Sequence, residues 1–191
     1  PASYTVTVGS ISGFTDAVTL GLAGQPAGAP VSFSPNPVTP AGTSALAVGP
    51  IAAGAAGSYP LTISGTSTTG TKNLAANLDL YTAAPGAPTL TVPANGAINQ
   101  PLRPTFQWSA ASQAETYRIE IATDAAFTGI VLDDQFGGGT TYTPTIDLAS
   151  NTQYFWRVTA YNPCDVGIAS ATFTFTTVPL PGDASIVRCP P

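Results

Sequence analysis

Along most of its length the chain alternates apolar and polar residues in short runs, each closed by Gly, Pro, Ser or Thr. A period of two places successive side chains on opposite faces of a pleated strand, so these runs predict strands. In the first half they are YTVTV (4–8), AVTLGL (17–22), VSFS (31–34), SALAV (44–48), YPLTISG (59–65) and LAANLDLY (74–81). Val18, Leu20 and Leu22 share one face, as do Leu61 with Ile63 and Leu78 with Leu80. The stretch SPNPVTP (34–40) carries three prolines. Proline has no N–H for a ladder, so this stretch is expected as an edge or a loop that crosses between sheets or guards an open edge.

The second half continues with TLTV (89–92), TFQWSA (105–110), TYRIEIATD (116–124), IVLDDQF (130–136), TYTPTI (141–146), QYFWRVTAY (153–161) and ATFTFTT (171–177). Tyr117, Ile119 and Ile121 fall on one face of their strand, Arg118 and Glu120 on the other. Between the halves lies TAAPGAPT (82–89), a Pro/Gly/Ala segment whose prolines stiffen it as a short linker. Many short strands at this spacing read as all-β sandwich architecture.

Composition narrows the function more than the fold. The chain has 191 residues, 43% of them hydrophobic, enough for two small cores. Only 8% are charged, about a third of the usual share. Alanine is frequent, but Gly and Pro break up any run long enough to become a helix. The net charge is −5, and the basic residues Lys72, Arg103, Arg118, Arg157 and Arg188 are scattered, so no nucleic-acid partner is expected. No apolar run approaches the length of a membrane span, and PASYTVTVGS has no signal-peptide core.

The chain contains no histidine, which removes imidazole acids, bases and metal ligands; no catalytic residue, metal site or cofactor is expected. Asp124, Asp133, Asp134 and Asp147 form no Asp-x-Asp-x-Asp-Gly loop and read as strand and turn carboxylates. Arg118 and Arg157 are expected to pair with carboxylates such as Glu120 on adjacent strands.

Several of these residues combine into a family pattern. Trp108, the YRIEIATD strand, the L-x5-Y spacing of Leu148 and Tyr154, and YFWRVTA together make residues 86 to 177 resemble a fibronectin type III domain. The resemblance implies a tyrosine corner at Leu148 and Tyr154, with the Tyr154 hydroxyl bonded to backbone just upstream. It also implies core positions for Trp108 and Trp156. With Tyr154 inward, alternation sends Trp156, Val158 and Ala160 inward and Phe155, Arg157, Thr159 and Tyr161 outward. The candidate binding face is therefore Phe155, Arg157 and Tyr161, with Arg118 and Glu120 on the neighbouring strand.

The first half, through YTVTVGSISGFTDAVTL, QPAGAPVSFSPNPVTPAGTSALAV and AAGSYPLTISGTS, resembles an Ig-like sandwich of exported bacterial multidomain proteins. The implied organisation is an Ig-like sandwich over 1–83, a linker over 84–88, a fibronectin-like sandwich over 89–178 and an extension over 179–191. This pairing occurs C-terminal to secreted peptidase domains, metalloprotease or subtilisin-like, and in surface proteins. In such relatives a cysteine precedes the equivalent of PASYTV, which implies that this chain is part of a larger polypeptide. In an exported protein Cys164 and Cys189 are expected to pair, a crosslink worth roughly 3 kcal/mol. Two unrelated thiols are the alternative.

The leading expectation is a non-catalytic extracellular spacer and binding accessory beside a hydrolase domain. Its partners would be other domains of the same polypeptide, and a protein or polysaccharide surface. The alternatives are a structural segment of an adhesin, surface layer or fibre that self-associates, and a carbohydrate-binding module resting on Phe155 and Tyr161.

Overall fold

Thr, Val, Leu and Ile at alternate positions turn the runs of the first half into six strands. They are β1 (Ala2–Val8), β2 (Thr19–Ala23), β3 (Val31–Ser34), β4 (Gly42–Val48), β5 (Gly57–Ser67) and β6 (Gly70–Leu80). The computed structural model describes residues 2–51 and 55–181, and these divide into two compact units between Thr82 and Ala83. In the first unit the strands form two antiparallel sheets, ordered β1-β4-β3 and β2-β5-β6. Val6, Leu46 and Val48 from one sheet meet Val18, Leu20, Leu61 and Leu78 from the other in a single core. Val18, Leu20, Leu61 and Leu78 are fully covered, while Leu22, Ile63 and Leu80 lie at the margin.

SPNPVTP lies along the edge of β2. Val38 is buried and exchanges backbone bonds of 2.9 Å with Val18 in both directions. Asn36 imitates a further strand residue: the Leu20 N–H donates to its Oδ1 at 2.8 Å, and its Nδ2 donates to the Leu20 carbonyl at 3.0 Å. The prolines are tolerated because a side-chain amide does the pairing that their missing N–H groups cannot.

Among its described residues the second unit has eight strands: β7 (Thr89–Val92), β8 (Ala97–Gln100), β9 (Phe106–Ser109), β10 (Thr116–Ala122), β11 (Ile130–Gly137), β12 (Thr141–Tyr142), β13 (Gln153–Tyr161) and β14 (Phe173–Thr177). One sheet is ordered β12-β9-β7; the other is β11-β10-β13-β14-β8, with β8 parallel to β14. Phe106 and Trp108 of the first sheet pack against Ile119, Ile121, Trp156, Val158 and Phe175 of the second. Phe106 meets Trp156 edge to face at 4.8 Å between centroids, and Phe175 at 5.5 Å. The segment before β7 is tied to this unit: the Gly86 N–H donates to the Ser112 carbonyl, and the Asn162 amide to that of Ala83.

The chain is thus all-β, two sandwiches in tandem. Two local expectations shift. The run at 141–146 is ladder-paired only at Thr141–Tyr142, because Pro144 has no N–H to continue it. Strand β8 carries no alternation, with Ile98 exposed, because backbone pairing to β14 rather than burial places it.

Candidate functional site on the outer face of the second sandwich

The pairing registers bring the charged residues of three strands into one row. Glu120 of β10 stands opposite Arg157 of β13 and opposite Asp133 of β11. Arg157 grips Glu120 with both arms of its fork, Nε to Oε2 at 2.7 Å and Nη2 to Oε1 at 3.1 Å. Arg118 does the same to Asp133, with Nε to Oδ1 at 2.6 Å and Nη2 to Oδ2, and its Nη2 lies 3.7 Å from Glu120 Oε1. Two acids and two bases therefore neutralise one another across the sheet. Glu120 is only 5% exposed, and a carboxylate so buried stays charged only if cations replace its lost water. The Arg118 guanidinium holds the Asp133 carboxyl below the usual carboxylate range. In return, the bonds to Asp133 and then Tyr161 push Arg118 further up.

A loop covers this row. Asp124, at the end of β10, folds the chain by accepting N–H bonds from Ala126, Thr128 and Gly129, the last at 2.6 Å. Those bonds, that of Gly129 foremost and Thr128 next, hold its carboxyl low. The turn puts Phe127 in the left-handed region at φ 56° and buries its ring, with the Arg157 guanidinium carbon 4.0 Å from the ring centroid. Stacking and ion pairing thus share one guanidinium.

Phe155 and Tyr161 are half-buried, and Arg157 and Arg118 are about one-third exposed, at 33% and 35%. Thr159, expected outward, is buried in register opposite Arg118. Trp108, Trp156, Leu148 and Tyr154 lie in the core, and the Ala149 N–H donates to the Tyr154 hydroxyl at 2.9 Å. The indole N–H groups of Trp108 and Trp156 find no acceptor among the described residues, so apolar packing alone holds these rings. Cys164 is exposed after β13, with its N–H donated to Asn162 Oδ1. Cys189, its expected partner, lies outside the described residues, as does most of the extension over 179–191.

The other carboxylates are also engaged. Asp147 accepts from Arg103 Nε at 2.5 Å, and Asp134 from the Tyr142 hydroxyl at 3.0 Å. Burial, with help from Asp134, pushes the Tyr142 phenol up to about 12. Among the described residues no group of three or more acids or cysteines is placed to hold a metal ion. Phe127 was illegible in the sequence: a lone aromatic between turn residues carries no period, and its positive φ runs against its type. The only signal was Asp124 followed by Thr128 and Gly129, a turn-forming set.

No protein-family profile and no curated protein matches the chain. Its neighbours among solved structures are fibronectin type III-like domains. It resembles an Fn3-like protein from Clostridium thermocellum at 20% identity and TM-score 0.37, over 51% of this chain and 95% of that one. It also resembles the FN1–FN3 domains of chicken CNTN1 at 18% identity and TM-score 0.41, over 92% of this chain and 62% of that one. A third likeness is to the sixth domain of human fibronectin type III domain containing protein 3, at 21% identity and TM-score 0.38, over 56% and 97%.

Proposed function

We propose that the chain is a non-catalytic, extracellular spacer and binding accessory within a larger bacterial secreted or surface protein, beside a hydrolase domain. The observation that carries this reading is how the second unit uses its charge. The row Asp133, Arg118, Glu120 and Arg157 spends its guanidinium donors on carboxylates of the same sheet. Phe127 closes over Arg157. Groups so committed stiffen a sandwich against local opening, which is what a spacer exposed to proteases requires. The low charge of the first unit, where Asp16, Lys72 and Asp79 are the only Asp, Glu, Lys or Arg residues, lets it pack against other surfaces with little desolvation.

Limited proteolysis with a broad-specificity protease, alongside the sequence of the intact polypeptide, tests the proposal. The spacer reading expects two resistant fragments parting near residue 82 and a hydrolase signature elsewhere in the polypeptide. Rapid degradation of both units, or further sandwich repeats with no hydrolase, would overturn it, the latter in favour of an adhesin or fibre segment.

A further inference from the structure

Asn95 and Gly96 form the only Asn-Gly pair in the chain. They are the central residues of the turn between β7 and β8, closed by the Ala97 N–H on the Ala94 carbonyl at 3.0 Å, with Gly96 at φ 78°. Both are exposed to water. Glycine has no Cβ to shield its nitrogen from the asparagine amide before it, so that nitrogen can close a succinimide ring on the asparagine Cγ.

Thr174 of β14 engages both reacting groups. The Gly96 N–H donates to the Thr174 carbonyl at 2.8 Å. Asn95 Oδ1 accepts from the Thr174 N–H at 2.9 Å and from the Thr174 hydroxyl at 3.3 Å. The same bonds dock the start of β8, which runs parallel to β14 with Ala97 opposite Phe175 and Gln100 opposite Thr177. While they stand, the Gly96 nitrogen keeps its proton and the Asn95 side chain stays turned to Thr174. Ring closure waits for β8 to lift off β14.

We propose that Asn95–Gly96 is a deamidation site that the pairing of β8 with β14 holds shut. When β8 opens, the Gly96 nitrogen gives its proton to hydroxide and attacks Asn95 Cγ. The new N–C bond replaces the bond to the side-chain nitrogen, which takes a proton from water and leaves as ammonia. Water then opens the succinimide. Cleavage at Cγ gives aspartate, and cleavage at the main-chain carbonyl of residue 95 gives isoaspartate. Aspartate keeps the oxygen to which Thr174 donates, so β8 docks again. Isoaspartate adds a methylene to the main chain, carries the Gly96 N–H away from the Thr174 carbonyl and leaves β14 with an unpaired edge.

The test incubates the 191-residue chain at mildly alkaline pH, folded and in urea. Proteolysis, chromatography and mass spectrometry then separate the aspartyl and isoaspartyl peptides. In urea Asn95 should convert faster than every other asparagine, and in the folded chain at least tenfold more slowly than in urea. Hydrogen exchange at the Gly96 amide reads the same opening, so it should be slowed by a matching factor. Thr174→Gly keeps the backbone partners but loosens β14, and should speed exchange and deamidation equally. Graded urea below the unfolding transition makes the same comparison without a substitution. The isoaspartyl chain should lose exchange protection at Gly96 and at Val178, whose N–H donates to the Gln100 carbonyl, while the aspartyl chain keeps it. Folded conversion as fast as in urea overturns the proposal, as does an Asn95 that converts in urea no faster than the other asparagines. So does faster exchange at Gly96 without faster deamidation, or an isoaspartyl chain that keeps both protections.

Discussion

At Glu120 the cost of burying a carboxylate is offset by a bidentate guanidinium, and the two cannot be removed separately without penalty. Arg157→Ala leaves Glu120 buried beside the more distant Arg118 and takes away the guanidinium on which Phe127 stacks. The expected loss is about 1–3 kcal/mol, below the value for a fully buried pair because Arg157 is one-third exposed. Arg103→Ala, at an exposed pair, should cost less than about 1 kcal/mol; urea unfolding of both variants makes the comparison. Acid acts on the same face. Asp133 titrates lower when folded than unfolded, so its pairing contributes fully above about pH 4 and is lost as pH falls through the folded value. Asp133→Asn should therefore lower the melting temperature at pH 6, by an amount that shrinks as pH falls through the folded value. Tyr142 behaves in the opposite sense: its contribution holds below about pH 10 and fades as pH rises through about 12. Ultraviolet titration should show a late-ionising phenol that Tyr142→Phe removes.

Among the elements, the edge guard on β2 offers a direct test of a side chain acting as a strand. Asn36→Ala deletes both bonds to Leu20 and should destabilise the first unit by about 1–2 kcal/mol in urea. Asn36→Asp keeps an acceptor for the Leu20 N–H but sets a carboxylate oxygen against the Leu20 carbonyl, so it should cost at least as much as the alanine. Legibility in the sequence followed the same physics. Strands β10 and β13 were plain because each buries one face, so Tyr117, Ile119 and Ile121, and Tyr154, Trp156 and Val158, fall on a strict period of two. β8 was not, because its parallel pairing to β14 asks only for backbone, and Ala97–Gln100 shows no alternation. The aromatic strand was half legible. Its core residues followed from alternation, but the other face was read as open, and there a loop folded by Asp124 buries Phe127 over it.

For the whole molecule, the two cores consist of separate sets of residues, and both tryptophans belong to the second. Tryptophan fluorescence should therefore report the second unit alone. Leu61→Ala should cost the first unit about 2–5 kcal/mol and shift the circular-dichroism transition, leaving the fluorescence transition in place. Trp156→Ala, which removes a fully buried ring, should do the reverse to the second unit by about 3–5 kcal/mol. The sequence by itself determined the all-β class, the strands that bury a face and the absence of histidine chemistry, because period and composition are local properties. Only the tertiary structure decided which charges meet and that Phe127 covers Arg157. Those outcomes depend on register between strands distant in sequence, and no local pattern encodes register across a sheet.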